Sequence, residues 1–63
     1  MKGYFKVTFR YSESIFCTNI AHAACKDDVA EHYKKYEYVW IEEDISPCEL
    51  ESARRKGMPI VEC

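Results

Sequence analysis

Apolar and polar residues alternate over residues 4–11, and this alternation constrains the fold more than any other feature of the sequence. In the segment YFKVTFRY, one set of alternate side chains is apolar or aromatic: Phe5, Val7, Phe9 and Tyr11. The other set is Tyr4, Lys6, Thr8 and Arg10. A period of two is that of a β-strand, so the segment is predicted to be a half-buried strand with its apolar set in the core.

Two further segments have the composition of strands. Residues 15–20 follow a polar break at residues 12–13, so the first two strands are predicted to form an antiparallel hairpin. Residues 37–43, EYVWIEE, are predicted to be the third strand. The middle of this strand, residues 38–41, is apolar on both faces, which suits a strand in the centre of a sheet or one whose outer face is covered.

The first helix lies between the second and third strands, and the sequence leaves its start open. A start near Asn19 places several apolar residues on one helical face. We favour a start near Cys25, because Asp27 and Asp28 then lie in the first turn, where the helix dipole stabilises acidic side chains. The basic residues 34–35 would lie in the last turn. The expected buried stripe is Val29, Tyr33 and Tyr36.

The second helix has the clearest boundaries in the chain. Ser46 is a predicted N-cap, Pro47 occupies the first helical position, and Glu49 completes a capping box. Gly57 can adopt the left-handed conformation that ends a helix. Residues 60–61 then form a short last strand, which is predicted to lie at a sheet edge because a proline precedes it.

The predicted order of elements is therefore ββαβαβ. Crossovers between parallel strands are right-handed, and from this rule we expect both helices to pack on one face of a mixed sheet. The predicted fold class is α+β, a two-layer α/β sandwich with two helices on one face.

Composition limits the possible functions. The chain has 63 residues, 48% hydrophobic and 32% charged, which suits a single small α/β domain spanning residues 1–63. Its net charge of −2 argues against a dedicated nucleic-acid binder, because such domains are usually basic. No signal peptide or membrane-spanning run is visible, so we expect a cytoplasmic protein without a membrane partner. In that compartment the four cysteines are expected to remain thiols.

The sequence has no pattern typical of an enzyme. Its two glycines do not form a phosphate-binding loop, and His22 and His32 accompany no nucleophile motif. The cysteine spacing lacks zinc knuckles. Cys48 lies at the second position of the second helix, where the dipole favours a thiolate, but the surrounding carboxylates oppose one. A non-catalytic protein with no cofactor and no metal is therefore expected.

The strongest candidate for a binding site is the polar side of the first strand together with the third strand. Residues 2–9, KGYFKVTF, come close to the core octapeptide of the RNA-recognition motif, but they lie on the first strand and in a different order of elements. The candidate residues are Tyr4, Lys6, Arg10, Tyr38 and Trp40. Exposed aromatic residues favour contact with a protein partner or self-association. Binding of single-stranded nucleic acid is the alternative, and a merely solvated face is the third interpretation.

The whole chain resembles the small uncharacterised accessory proteins encoded on conjugative transposons of clostridia-like bacteria. The resemblance rests on size and on the stretch CKDDVAEHYKKYEYVWIEEDISPCELESARRKGMPI. It implies a bacterial cytosolic protein with a role in element maintenance, regulation or host interaction, and it implies no site.

Overall fold

Two long strands, paired as an antiparallel hairpin, form the centre of the fold in a computed structural model that describes residues 1–63. The elements are β1 Gly3–Ser12, β2 Ile15–Ala23, α1 Lys26–His32, β3 Val39–Glu42, α2 Pro47–Arg55 and β4 Ile60–Glu62. The strand order in the sheet is β3-β1-β2-β4. β1 is antiparallel to β2 and β3, and β4 is parallel to β2. The predicted α+β class, the ββαβαβ order and the mixed sheet are confirmed.

The alternation in β1 produces the main hydrophobic core. Phe5, Val7 and Phe9 are buried on one side of the sheet, which we call the inner face, and α1 covers them with Val29 and Tyr33. The opposite side, which carries the alternate residues of β1, is called the outer face. Tyr11 was expected in the core but is exposed. A β-bulge beside it shifts the strand register and ends the alternation.

The later of the two predicted helix starts is confirmed. Cys25 is the N-cap of α1, and β2 continues to Ala23. Alanine favours helices, but Ala21 and Ala23 fit as small side chains on the inner face, where Ala21 pairs with Phe5. Tertiary packing therefore overrides local propensity. The helix ends at His32, one turn earlier than expected, so residues 34–35 lie beyond it.

The placement of α2 differs from the prediction that both helices share one face. Ile20 points away from the core residue Ala21 beside it, yet it is only 2% exposed. Ala53 of α2 is also buried, and it lines a gap of about 160 Å³ together with Ile20 and Lys6. The helix α2 therefore packs on the outer face.

Strand order explains this placement. The connection from β2 to β3 passes over β1 in one direction, and the connection from β3 to β4 returns in the other direction. Two right-handed crossovers that run in opposite directions place their helices on opposite faces. Both crossovers are consistent with the right-handed rule. The prediction that both helices pack on one face was wrong because it required a different strand order.

The third strand also differs from its prediction. β3 lies at an edge of the sheet, hydrogen-bonded only to β1, and it is shorter than the predicted segment 37–43. Val39 and Ile41 pack against the core, whereas Trp40 is 58% exposed on the outer face. The apolar segment 38–41 therefore has one side in the core, Val39 and Ile41, and one exposed side, Tyr38 and Trp40. β4 lies at the other edge, as predicted.

The predicted boundaries of α2 are confirmed. Glu49 donates its backbone N–H to Ser46 Oγ at 3.2 Å, and Pro47 begins the helix. Gly57 has a φ of 77°, which belongs to the left-handed region.

Candidate functional site

The helix α2 divides the outer face into a covered end and an open end. Lys6 and Ile20 lie at the covered end, beside the gap under α2. Thr8 and Thr18 mark the start of the open end, and their hydroxyl oxygens are 3.3 Å apart. All five predicted site residues lie on the outer face, but they do not form one group. Tyr4 and Lys6 belong to the covered end, and Arg10, Tyr38 and Trp40 belong to the open end.

Three exposed aromatic side chains occupy the open end. Phe16 of β2 is the cross-strand neighbour of Arg10, and Arg10 donates its backbone N–H to Tyr38 O at 3.1 Å on the other side. The rings of Phe16 and Tyr38 meet edge to face with their centroids 5.6 Å apart. Trp40 follows on the same side of β3. We call Phe16, Tyr38 and Trp40 the aromatic surface; each of them is exposed.

Phe16 was missed in the sequence-based prediction. It follows Ile15 and precedes Cys17 and Thr18, so the segment shows no clear alternation between apolar and polar residues. The hairpin register supplies the missing information, because it places Phe16 directly opposite Arg10 and hence on the outer face.

Of the two basic residues of the predicted site, Arg10 has its guanidinium engaged by neighbouring groups, and Lys6 lies at the covered end, opposite Glu42. Arg10 donates from Nη2 to the carbonyl oxygen of Glu13 at 2.9 Å and from Nε to that of Ser12 at 3.3 Å. Its Nη1 atom also lies 3.6 Å from a carboxylate oxygen of Glu37. Lys6 lines the gap under α2. The row of alternating basic and aromatic residues that a nucleic-acid platform requires is therefore interrupted.

Tyr4 takes part in a contact between three strands. Its ring stacks on His22 of β2 at a centroid distance of 4.5 Å. The Nδ1 atom of His22 is 3.0 Å from a carboxylate oxygen of Glu62 in β4, and Lys2 Nζ donates to the same carboxylate at 3.3 Å. The hydrogen bond with His22 is the main cause that lowers the pKa of Glu62. Tyr4 therefore helps to attach the edge strand β4.

The cysteines form no reactive constellation. All four are free thiols: Cys17 and Cys63 are half-buried, and Cys25 and Cys48 are exposed. Burial raises the pKa of the Cys63 thiol, which disfavours the thiolate. No group of three or more His, Cys, Asp or Glu side chains is arranged to hold a metal ion. Neither helix has the length and apolar character needed to cross a membrane.

Comparison with known proteins gives no relative: no family model matches, and no curated protein or solved structure is significantly similar.

Proposed function

We propose that the chain is a non-catalytic interaction module that binds a protein partner through the aromatic surface. The observation that carries this proposal is the exposure of Phe16, Tyr38 and Trp40 side by side on a paired sheet. Trp and Tyr are enriched among the residues that dominate binding energy at protein interfaces. Phe16 and Trp40 lie on hydrogen-bonded strands, and Tyr38, which directly precedes β3, accepts a backbone hydrogen bond from Arg10, so little conformational entropy is lost when a partner binds.

Charge supports a protein partner over nucleic acid. The chain has a net charge of −2, and Arg10, the basic residue nearest to the aromatic surface, already contacts Glu37 and two carbonyl oxygens. Nucleic-acid binding depends on free cations that neutralise phosphates, and its affinity falls steeply with salt. Retention on single-stranded DNA or RNA that is lost on Arg10→Glu would favour the nucleic-acid alternative.

Site-specific photo-cross-linking in the native host cell tests the proposal. A photoreactive amino acid at position 16 is expected to form a covalent adduct with a protein, and Trp40→Ala in the same chain is expected to abolish that adduct. Tyr11→Ala is the matched control, because Tyr11 is also an exposed aromatic residue but contacts no other ring. Equal cross-linking with Trp40→Ala and Tyr11→Ala, or an adduct only with nucleic acid, would contradict the proposal.

Self-association is the second form of the same proposal. A cross-linked dimer of the chain would identify it, and sedimentation at increasing concentration would give its affinity. A cytoplasmic location, the absence of catalysis and a role in a bacterial mobile element stay predictions from the sequence.

A further inference from the structure

The free edge of β3 leaves a row of backbone groups unpaired. Arg10 N donates to Tyr38 O, which makes these two residues a hydrogen-bonded pair of the antiparallel ladder. Such pairs alternate with non-bonded pairs along two strands. Trp40 and Glu42 therefore bond to β1, and the N–H and C=O groups of Val39 and Ile41 point away from the sheet. No turn, cap or side chain of the chain bonds them.

The strand β3 is the last strand on this side of the sheet, so no further strand pairs with this edge. A shallow depression of about 250 Å³ runs along it and is lined by Lys26, Val39, Trp40 and Ile41. Trp40 projects on the outer face beside the unpaired groups, so the edge and the aromatic surface are continuous. An extended peptide that paired with Val39 and Ile41 would also bring alternate side chains against Trp40.

Carboxylates lie at both ends of the open edge. Glu37 precedes β3 and is largely exposed, although one of its oxygens is 3.6 Å from Arg10. Glu42, Glu43 and Asp44 follow at the other end, and none of them forms an ion pair. Three of the four residues that line the depression are apolar, and Lys26 is the one cation among them. The edge therefore has a mainly apolar centre between negative ends.

We propose that the partner adds a strand to β3, using an extended segment with an apolar centre and Lys or Arg at both ends. This inference rests on the proposed function and specifies the partner's chemistry. Backbone hydrogen bonds to Val39 and Ile41 provide the pairing, and the carboxylates select the basic ends.

A second copy of this chain is the competing occupant of the edge. If Val39 pairs with Ile41 of another copy, Trp40 lies opposite its own equivalent, and Glu37 lies opposite Glu43. Like charges directly opposite each other destabilise a strand pair. Charge therefore opposes self-pairing in this register, whereas a segment with basic ends meets carboxylates at both ends of the edge.

Titration with a synthetic peptide tests the inference. The probe is the acetylated and amidated sequence KKVTVTVKK, and binding is followed by the fluorescence of Trp40 and by amide hydrogen exchange at Val39 and Ile41. We expect the peptide to change the Trp40 emission and to slow exchange at both amides. The same peptide with glutamate in place of lysine is expected to bind at least about tenfold more weakly, because like charges then meet at both ends.

Two further peptides test strand pairing itself. One peptide is N-methylated at its valines and the other at its threonines. Only one of the two should fail to bind, because the backbone N–H groups of alternate residues point toward β3. The variant Glu43→Lys should reduce the preference for the lysine peptide. Glu43 is exposed and follows β3 without a cross-strand partner, so the fold should be unaffected.

Three results would overturn the inference: no binding of KKVTVTVKK, equal loss with both methylation patterns, or exchange at Val39 and Ile41 that slows only on self-association. If cross-linking from position 16 still depends on Trp40 in any of these cases, the proposed function stands and the strand pairing fails. If cross-linking from position 16 does not depend on Trp40 either, the strand pairing and the proposed function both fail.

Discussion

Replacement of Ile20 by alanine tests whether α2 packs on the outer face. Ile20 is 2% exposed, and Ala53 of α2 and the following Met58 line the gap beside it. Truncation of a fully buried isoleucine costs about 2–5 kcal/mol. Because part of its surroundings is this gap of about 160 Å³, Ile20 has fewer atomic contacts to lose than a tightly packed residue, and we expect a loss of about 3 kcal/mol, toward the lower end of that range.

The size of the chain determines how the experiment must be designed. At roughly 0.05–0.15 kcal/mol per residue, 63 residues give a free energy of unfolding of about 3–9 kcal/mol. Ile20→Ala could therefore unfold much of the protein, so Ile20→Val, with an expected loss of about 1 kcal/mol, provides a milder step. Urea denaturation followed by far-ultraviolet circular dichroism gives the change in the free energy of unfolding.

Ile60→Ala is the matched control. Ile60 pairs directly with Ile20 on the neighbouring strand but is 41% exposed, so its truncation should cost only about 1 kcal/mol. If Ile20→Ala destabilised the protein no more than Ile60→Ala, the packing of α2 on the outer face would be refuted.

Three further predictions follow from the helix ends and from the contact at β4. Ser46→Ala removes the acceptor for the Glu49 N–H and should cost about 1 kcal/mol in urea denaturation. Gly57→Ala forces a φ of 77° on a residue with a Cβ atom and should cost about 1 kcal/mol in the same assay. The lowered pKa of Glu62 contributes stability above pH 4.5 that is lost as pH falls through the lower folded pKa. Glu62→Gln should remove this small acid-dependent step, because it replaces the carboxylate that bonds His22.

Each of these predictions has its own control. Ser46→Thr should retain most of the cap, so an equal loss with Thr and Ala would contradict the capping role. Gly3→Ala has open space around its Cβ position and no positive φ, so it should be close to neutral. Lys2→Gln removes the weaker contact of Glu62 and should preserve most of the acid-dependent step. An acid profile of Glu62→Gln identical to that of the unchanged protein would argue against the contact.

Local patterns predicted the elements well. The alternation through Phe5, Val7 and Phe9 was sufficient to identify β1 and its core side. The cap at Ser46 and the terminating Gly57 were sufficient for α2. These signals depend on residues a few positions apart, and a single sequence contains them.

Features that depend on strand order could not be predicted in the same way. The sequence does not indicate that β3 lies at an edge, so its apolar middle also suited a central or covered strand. Strand order also determines which face of the sheet α2 covers. For this reason Lys6 lies beside α2, whereas Trp40 is exposed. Phe16 joins the site through the hairpin register, whereas Tyr38 and Trp40 were identified from the alternation that turns Val39 and Ile41 to the core.

The exposure of Trp40 in the single chain is the most direct test of the central claim that the open end of the outer face is free to bind a partner. Trp40 is the only tryptophan, so acrylamide quenching of intrinsic fluorescence reports on this site alone. The measurement should be made where sedimentation gives the mass of one chain, 7.4 kDa. We predict quenching close to that of the urea-unfolded chain, because the side chain is 58% exposed. A blue-shifted and strongly protected Trp40 in the monomer would contradict the claim.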